Sequence, residues 1–457
     1  MAEIIPFRGI LYNPLKIQNF SDIVAPPFDV ISEEEQEYYH NRHPQNMIWL
    51  TLGRTTASDT SADNRYTRAA DYLKTWFSEK ILIQDEMPAF YLTSHEFDHG
   101  NKSVTRYGLI ALVGLVPFEE GVVLPHEKTF SKVKEERLEL IKACKTNLSP
   151  IFSLYSDQEN RILKALSASI SNKAPDINFI DHNVHKHRLW RIIDPAVHRY
   201  VADVMKAKRL FIADGHHRYE TALRYREWLS SNTPNFNGAH PANHVMMYLC
   251  SMEDPGVVIL PAHRLLNEVP AAARASLITS AAEYFDIITI PYKGDQRNQA
   301  RAEFLAKLKS NTSKNCIGVY MKDCPELYLL ILKPNVMEQL FGDELEESLR
   351  NIDVTVLTRL LLVEILGFDQ ARLDNEKLIA YTRIAEEAID RVEAGKHDIA
   401  FMLNPTRIEQ VRHIAEEGLI MPRKATYFYP KVITGQVLNK LSRSSKKDPF
   451  RTGNFRA

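Results

Sequence analysis

Along the chain, apolar and polar positions alternate between strand-like and helix-like spacing in short runs. Leu210-Phe211-Ile212-Ala213 is a continuous apolar run, as a buried strand requires. Asp214-Gly215 then supplies turn chemistry, since Asp bonds its own backbone and Gly accepts positive φ. From Tyr219 onward, Ala222, Tyr225, Arg226 and Leu229 recur at helical spacing. His216, His217 and Arg218 are therefore expected in the first turn of a helix. Upstream, Tyr66, Ala69, Tyr72, Leu73 and Trp76 predict a helix over 65–79. Residues 89–93 and 106–113 predict two strands joined by a turn-rich segment, a plausible hairpin. A strand is expected to end at Pro125, followed by the loop His126-Glu127-Lys128-Thr129, a helix over 133–144 and a strand over 150–155. A strand over 189–193 and strand-like runs at 244–251 and 257–260 complete the first half.

The second half repeats the alternation. Residues 268–345 predict a helix, a strand, a helix over 299–309 and two more strands. Residues 344–366 are expected to be largely helical. Their apolar face (Leu349, Ile352, Val356, Leu357, Leu360, Val363) suits a core or a dimer seam. A strand–helix–strand unit over 379–403 follows. The tail Met421–Leu438 mixes aromatics with Lys and Arg: either it lies over the core with Lys424 and Lys431 in water, or one of the two closes a phosphate pocket. The pattern predicts an α+β protein with four parts: 1–120, β-rich and packed on the core; 121–265, the core; 266–345, an α/β accessory domain; and 346–457, an α/β part whose tail folds back.

Composition narrows the function classes. The 457 residues carry a net charge of -1 and are 44% hydrophobic and 25% charged. That balance argues against a protein that coats nucleic acid, which needs a basic excess, while leaving room for a local basic groove. No apolar run spans a bilayer, and no basic segment followed by an apolar stretch opens the chain, so no signal peptide is expected. The four cysteines form no C-x-x-C and read as reduced residues of a cytoplasmic protein.

The candidate chemistry centres on Asp214–Arg218. At a helix start, unpaired N–H groups and the positive end of the dipole face outward, and two imidazoles and a guanidinium add to them. The segment reads as an anion site, with phosphate as the expected ligand. His126 and Glu127 stand at a strand end, where a carboxylate between His and Lys suits general-base work; a solvated loop of mixed charge fits the same spacing equally well. His263 and Arg264 form a second pair at a strand end, either part of the anion site or groups solvating a helix start. His182, His185 and His187 fall within six residues but match no metal spacing, although His187 is able to reach the site. Asp29, after Pro26-Pro27, reads first as a turn or cap residue and second as a catalytic carboxylate.

The strings D-G-H-H-R-Y-E-T-A (214–222), A-P-P-F-D-V (25–30), P-H-E-K-T (125–129), N-L-S-P-I-F (147–152), P-A-H-R (261–264) and M-P-R-K-A-T-Y-F-Y-P-K (421–431) together resemble a widespread bacterial and archaeal family of unknown function, over nearly the whole chain. The order P-H-E, helix, strand, D-G-H-H-R is also similar to the core of the ParB/sulfiredoxin superfamily, and most of all to the archaeal free serine kinases. That resemblance implies a mixed-sheet core of that type, in which residues 157–207 are an insertion, and a kinase making O-phosphoserine from L-serine. It implies that Gly215, His216, His217 and Arg218 hold the donor phosphates of ATP, ADP or pyrophosphate. Glu127 would be the base, with His126 beside it, while Thr129 and Asn147 would support the phosphates. Asp214 would be the protein ligand to Mg²⁺. His216 stands where sulfiredoxins have Cys, so thiol chemistry is not expected, and neither is the DNA-binding helix-turn-helix of ParB proteins. Two rivals stay open: a nucleotide-binding regulator without small-molecule turnover, and a metal hydrolase built on His126, His182, His185 and His216. The expected partners are a small hydroxyl substrate and the phosphate donor, with no nucleic acid and no membrane, and with a homodimer left open by the apolar stripe.

Overall fold

The structure, a computed structural model, describes residues 1–442 apart from 101 and 376. The chain divides into two compact units, Met1–Val258 with Pro430 onward, and Ile259–Tyr429. No helix among the described residues is long and apolar enough to cross a membrane.

The first unit is built on a nine-stranded mixed sheet. Its strands are β1 (Ile4–Ile5), β2 (Phe90–His99), β3 (Lys102–Gly114), β4 (Val123–Leu124), β5 (Ile151–Tyr155), β6 (Ile177–Ile180), β7 (Lys186–Ile192), β8 (Leu210–Asp214) and β9 (His244–Ser251). Their order is β4-β8-β5-β9-β3-β2-β7-β6, with β1 added on β3. The expected hairpin is β2–β3, and its pairing runs as far as His99 opposite Lys102. Leu210, Phe211 and Ile212 are all buried, which explains an apolar run without alternation: both faces of β8 are covered. Helix α1 (Ser131–Cys144) packs against helix α2 (His216–Asn232).

The second unit carries a six-stranded sheet. In chain order its strands are β10 (His263–Leu266), β11 (Phe285–Pro291), β12 (Cys316–Met321), β13 (Glu326–Leu332), β14 (Ile379–Thr382) and β15 (Ile399–Leu403), arranged β11-β13-β12-β15-β10-β14. The stretch expected to be helical over 344–366 breaks into Glu347–Arg350, Asp353–Thr355 and a π-helix at Val356–Ile365. Ile352, Val356, Leu357 and Leu360 are buried, so much of that stripe is core.

The two units cut across the bounds of the four expected parts. Strands from 1–120 and 121–265 interleave in one sheet, as where β3 pairs with β9. Strands from 266–345 and 346–457 likewise share the second sheet, as where β12 pairs with β15. Local periodicity marks each strand but carries no information about which distant strand completes its hydrogen bonds.

Candidate functional site

Strands β4 and β8 are parallel neighbours, with Val123 opposite Leu210 and Leu124 opposite Phe211. Their carboxyl ends therefore lie side by side at one sheet edge, where open α/β sheets place ligands. From β4 the chain runs into Pro125–Thr129, and from β8 into Asp214–Arg218. This pairing brings together two segments about ninety residues apart.

The register of β8 slips against β5: Ile212 lies opposite Ser153 but Asp214 opposite Phe152. Ala213 is the extra residue of a bulge, a device that re-aims the next side chain. Gly215 then takes φ +99°, and a Cβ there would sit 2.8 Å from Arg218 Nε, so a side chain meets both strain and collision. Helix α2 starts directly at His216, and no side chain caps it. Its first N–H groups are an open anion cradle.

Asp214 is bound by two cations: Arg218 Nη2 donates to Oδ2 and Lys431 Nζ to Oδ1. Arg218 Nη1 also donates to the Pro150 carbonyl. Burial pushes the Asp214 carboxyl up, but Lys431 and Arg218 outweigh it and hold the group at about 2. Lys431 reaches this place because the C-terminal segment is laced into the first unit. Ala25 and Thr434 exchange both backbone hydrogen bonds, at 3.2 and 2.8 Å, and Asn439–Lys440 pairs with Thr146–Asn147.

The two histidines of the turn hold the loop. The His126 backbone N–H donates to His216 Nε2 at 3.2 Å, and the Phe130 N–H donates to His217 Nε2 at 3.0 Å. An acceptor Nε2 puts each ring proton on Nδ1. Glu127 Oε2 lies 3.5 Å from His216 Nδ1. Burial drives His216 well below its ordinary value and His126 down to about 4, so both rings are neutral at pH 7. Thr129 donates to Glu220 at 2.7 Å and accepts from Lys134 at 2.8 Å, while Lys134 and Glu220 pair at 2.6 Å. The loop is thus hydrogen-bonded to α2 at three residues, His126, Thr129 and Phe130, and the Glu127 side chain stays 38% exposed above the buried His216.

Asn147 is more deeply placed. Its Oδ1 accepts from the Met246 N–H at 3.3 Å and from Asn439 Nδ2 at 3.0 Å. It still lines the apolar pocket that reaches Arg218. Asp29 comes to the site as well, since its charge acts on Asp214, Arg218 and Lys431. The only sequence signal for Asp29 was its place after two prolines. Arg137, for which the sequence pattern gives no signal, stacks on Phe28, 4.0 Å from the ring centre.

Other expected residues lie elsewhere. His187 is on β7, and four strands separate it from β8, about 24 Å at sheet spacing. Its Nε2 bonds Asp181 Oδ2 at 2.9 Å. His182 and His185 are beside it, so the set His126, His182, His185, His216 is not assembled. What converges there instead is His95, His185 and Asp181, whose ligand-type atoms lie within 4.8 Å of one another. His263, Arg264 and Lys424 belong to the second unit. His263 Nδ1 accepts from the Leu403 N–H at 3.1 Å, and Arg264 Nη2 donates to the carbonyls of Arg423 and Lys424 at 3.2 Å each. Lys424 itself has φ +58°.

The expectation of Mg²⁺ on Asp214 does not fit this geometry. Both carboxylate oxygens are held by cations. A divalent ion there would face two positive charges at contact range.

No curated protein sequence matches the chain. Among solved structures it is similar to a free serine kinase in complex with AMP, with 12% identity over 73% of this chain and 91% of that one and a TM-score of 0.34. A conserved hypothetical protein from Pyrococcus furiosus shows 12% identity over 71% and 92%, with a TM-score of 0.30. SbnI with a C-terminal truncation, from Staphylococcus aureus, shows 12% identity over 72% and 86%, with a TM-score of 0.34. The family model described as "Protein of unknown function (DUF1015)" matches residues 4–355, which takes in the P-H-E-K-T and D-G-H-H-R segments and stops short of Met421–Lys431. That match spans well over half of the sequence, and the chain belongs to the DUF1015 family.

Proposed function

We propose that this protein is a phosphotransferase that moves a phosphoryl group from a nucleotide or pyrophosphate to a small hydroxyl compound, with free L-serine giving O-phosphoserine as the first candidate. The observation that carries the reading is the joining of an uncapped helix start to a fixed carboxylate. Glu127 stands 3.5 Å from His216 Nδ1, beside the open N–H groups of α2 and the cations Arg218 and Lys431. The motif resemblance to free serine kinases supports the same roles.

Phosphoryl transfer asks a protein chiefly for positioning and for neutralisation of the phosphoryl oxygens. In this reading the main-chain N–H groups of 216–218, with Arg218 and Lys431, receive the donor phosphates, which compete with Asp214 for the two cations. The acceptor hydroxyl oxygen attacks the terminal phosphorus, its proton passes to Glu127, and the bond to the leaving phosphate breaks with its electron pair. His216 orients Glu127. His126, His217 and Thr129 fix the loop, and Asn147 supports the strand beside Arg218. Loss of the Arg218 guanidinium costs on the order of 3 kcal/mol in the barrier. The test is incubation with L-serine and ATP, ADP or pyrophosphate in turn, with Mg²⁺ supplied, and detection of O-phosphoserine by mass spectrometry. Product with at least one donor, absent in Arg218→Ala, is the expected result. No phosphorylated product with any donor would overturn the assignment.

A further inference from the structure

A pocket beside Arg218 is lined by Phe28, Arg137, Leu140, Asn147, Ile151 and Arg218 among others. Its wall is mostly apolar, yet it contains a nearly buried cation. Arg137 is 8% exposed. Its Nη1 donates to the Thr51 carbonyl at 2.7 Å, and its face stacks on Phe28. Its Nε is buried with no hydrogen-bond partner among the described residues. A buried donor left unpaired is costly, and a guanidinium edge is shaped for a two-oxygen anion. Burial and the charge of Arg65 lower this guanidinium to about 10, which leaves it protonated at pH 7.

We infer that Arg137 binds the carboxylate of the acceptor, a small hydroxy acid or amino acid whose carbon skeleton lies against the apolar wall. A donor phosphate fits less well, because a multiply charged, strongly hydrated group gains nothing from Leu140 and Ile151, whereas a small organic monoanion uses both features. The pocket also reaches Arg218, so the ligand's other end lies toward the phosphate cradle. A purely structural Arg137, pinning Phe28 and Thr51, explains the stacking but not the unpaired Nε.

The inference rests on the phosphotransferase reading only in naming the ligand an acceptor, and binding is measured without any donor. Calorimetry with the full-length protein compares L-serine with L-serinamide, and glycolate with glycolamide. Inorganic phosphate serves as a competitor. The expected result is that at least one acid binds, that its amide binds at least tenfold more weakly, and that Arg137→Lys, which keeps the charge but loses the Nε edge, weakens the acid at least tenfold. The acid-against-amide comparison on the unaltered protein needs no variant to fold. Equal binding of acid and amide, binding of neither acid, an unaffected Arg137→Lys, or displacement of the acid by phosphate of similar affinity would each overturn the inference. Intact acid binding without phosphoryl transfer would overturn the kinase reading alone.

Discussion

Removing Lys431 tests the electrostatic centre of the site. Asp214 is held at about 2 against an ordinary 3.8. That difference converts to about 2.5 kcal/mol of stability at pH 7. Because the folded value is depressed, the stabilisation is present above about 3.8 and is lost as pH falls through about 2; by pH 3 it has dropped to about half. Lys431→Met leaves a buried carboxylate with one partner, so a loss of roughly 3 kcal/mol is expected. The assay is a double-mutant cycle with Asp214→Asn, followed by urea unfolding. All four tryptophans, Trp49, Trp76, Trp190 and Trp228, lie in the first unit, so their emission reports that unit without interference from the second. The expected coupling is about 2 kcal/mol at pH 7 and about half of that at pH 3. Additivity at pH 7, or a coupling unchanged at pH 3, would refute the reasoning.

Two further outcomes follow from the same geometry. Gly215→Ala places a Cβ 2.8 Å from Arg218 Nε at φ +99° and is expected to cost about 2 kcal/mol, read as a lowered melting temperature; an unchanged melting temperature would contradict the strain. His126 sits at about 4 rather than 6.5 because it is buried. Its neutral form is favoured in the folded state, so stability is lost as pH falls from about 6.5 to about 4, by up to roughly 3 kcal/mol. Urea midpoints of His126→Gln should fall less steeply across that window than those of the unaltered protein; parallel curves would count against it.

Much of the site's local chemistry is legible in the sequence. The apolar run 210–213, the Asp-Gly turn and the helical spacing after Tyr219 place His216–Arg218 at a helix start, and the structure begins α2 at His216. His126 and Glu127 after a short strand are equally readable. What joins the two segments is the parallel pairing of β4 with β8, a contact between distant strands on which hydrophobic periodicity is silent. The same holds for Lys431, which reaches Asp214 because the segment after Pro430 returns to the first unit and pairs at Ala25. Asp29 reads as a turn residue because only that long-range lacing brings it near Asp214. Arg137 reads as one more charge on an amphipathic helix, since sequence spacing does not distinguish a solvated arginine from one stacked on Phe28. His187, His263 and Arg264 have the right chemistry at strand ends, but their strands belong to the far side of the first sheet and to the second unit.

The measurement that bears most directly on the central claim compares Glu127→Gln with the unaltered protein for both nucleotide binding and phosphoryl transfer. Glu127 touches neither Asp214 nor the helix N–H groups in the proposed roles, so the claim separates the two readouts. The predicted result is ADP affinity within about threefold of the unaltered protein and O-phosphoserine formation lowered by about 100-fold or more, the usual scale for a lost general base. Undiminished transfer in Glu127→Gln would contradict the account.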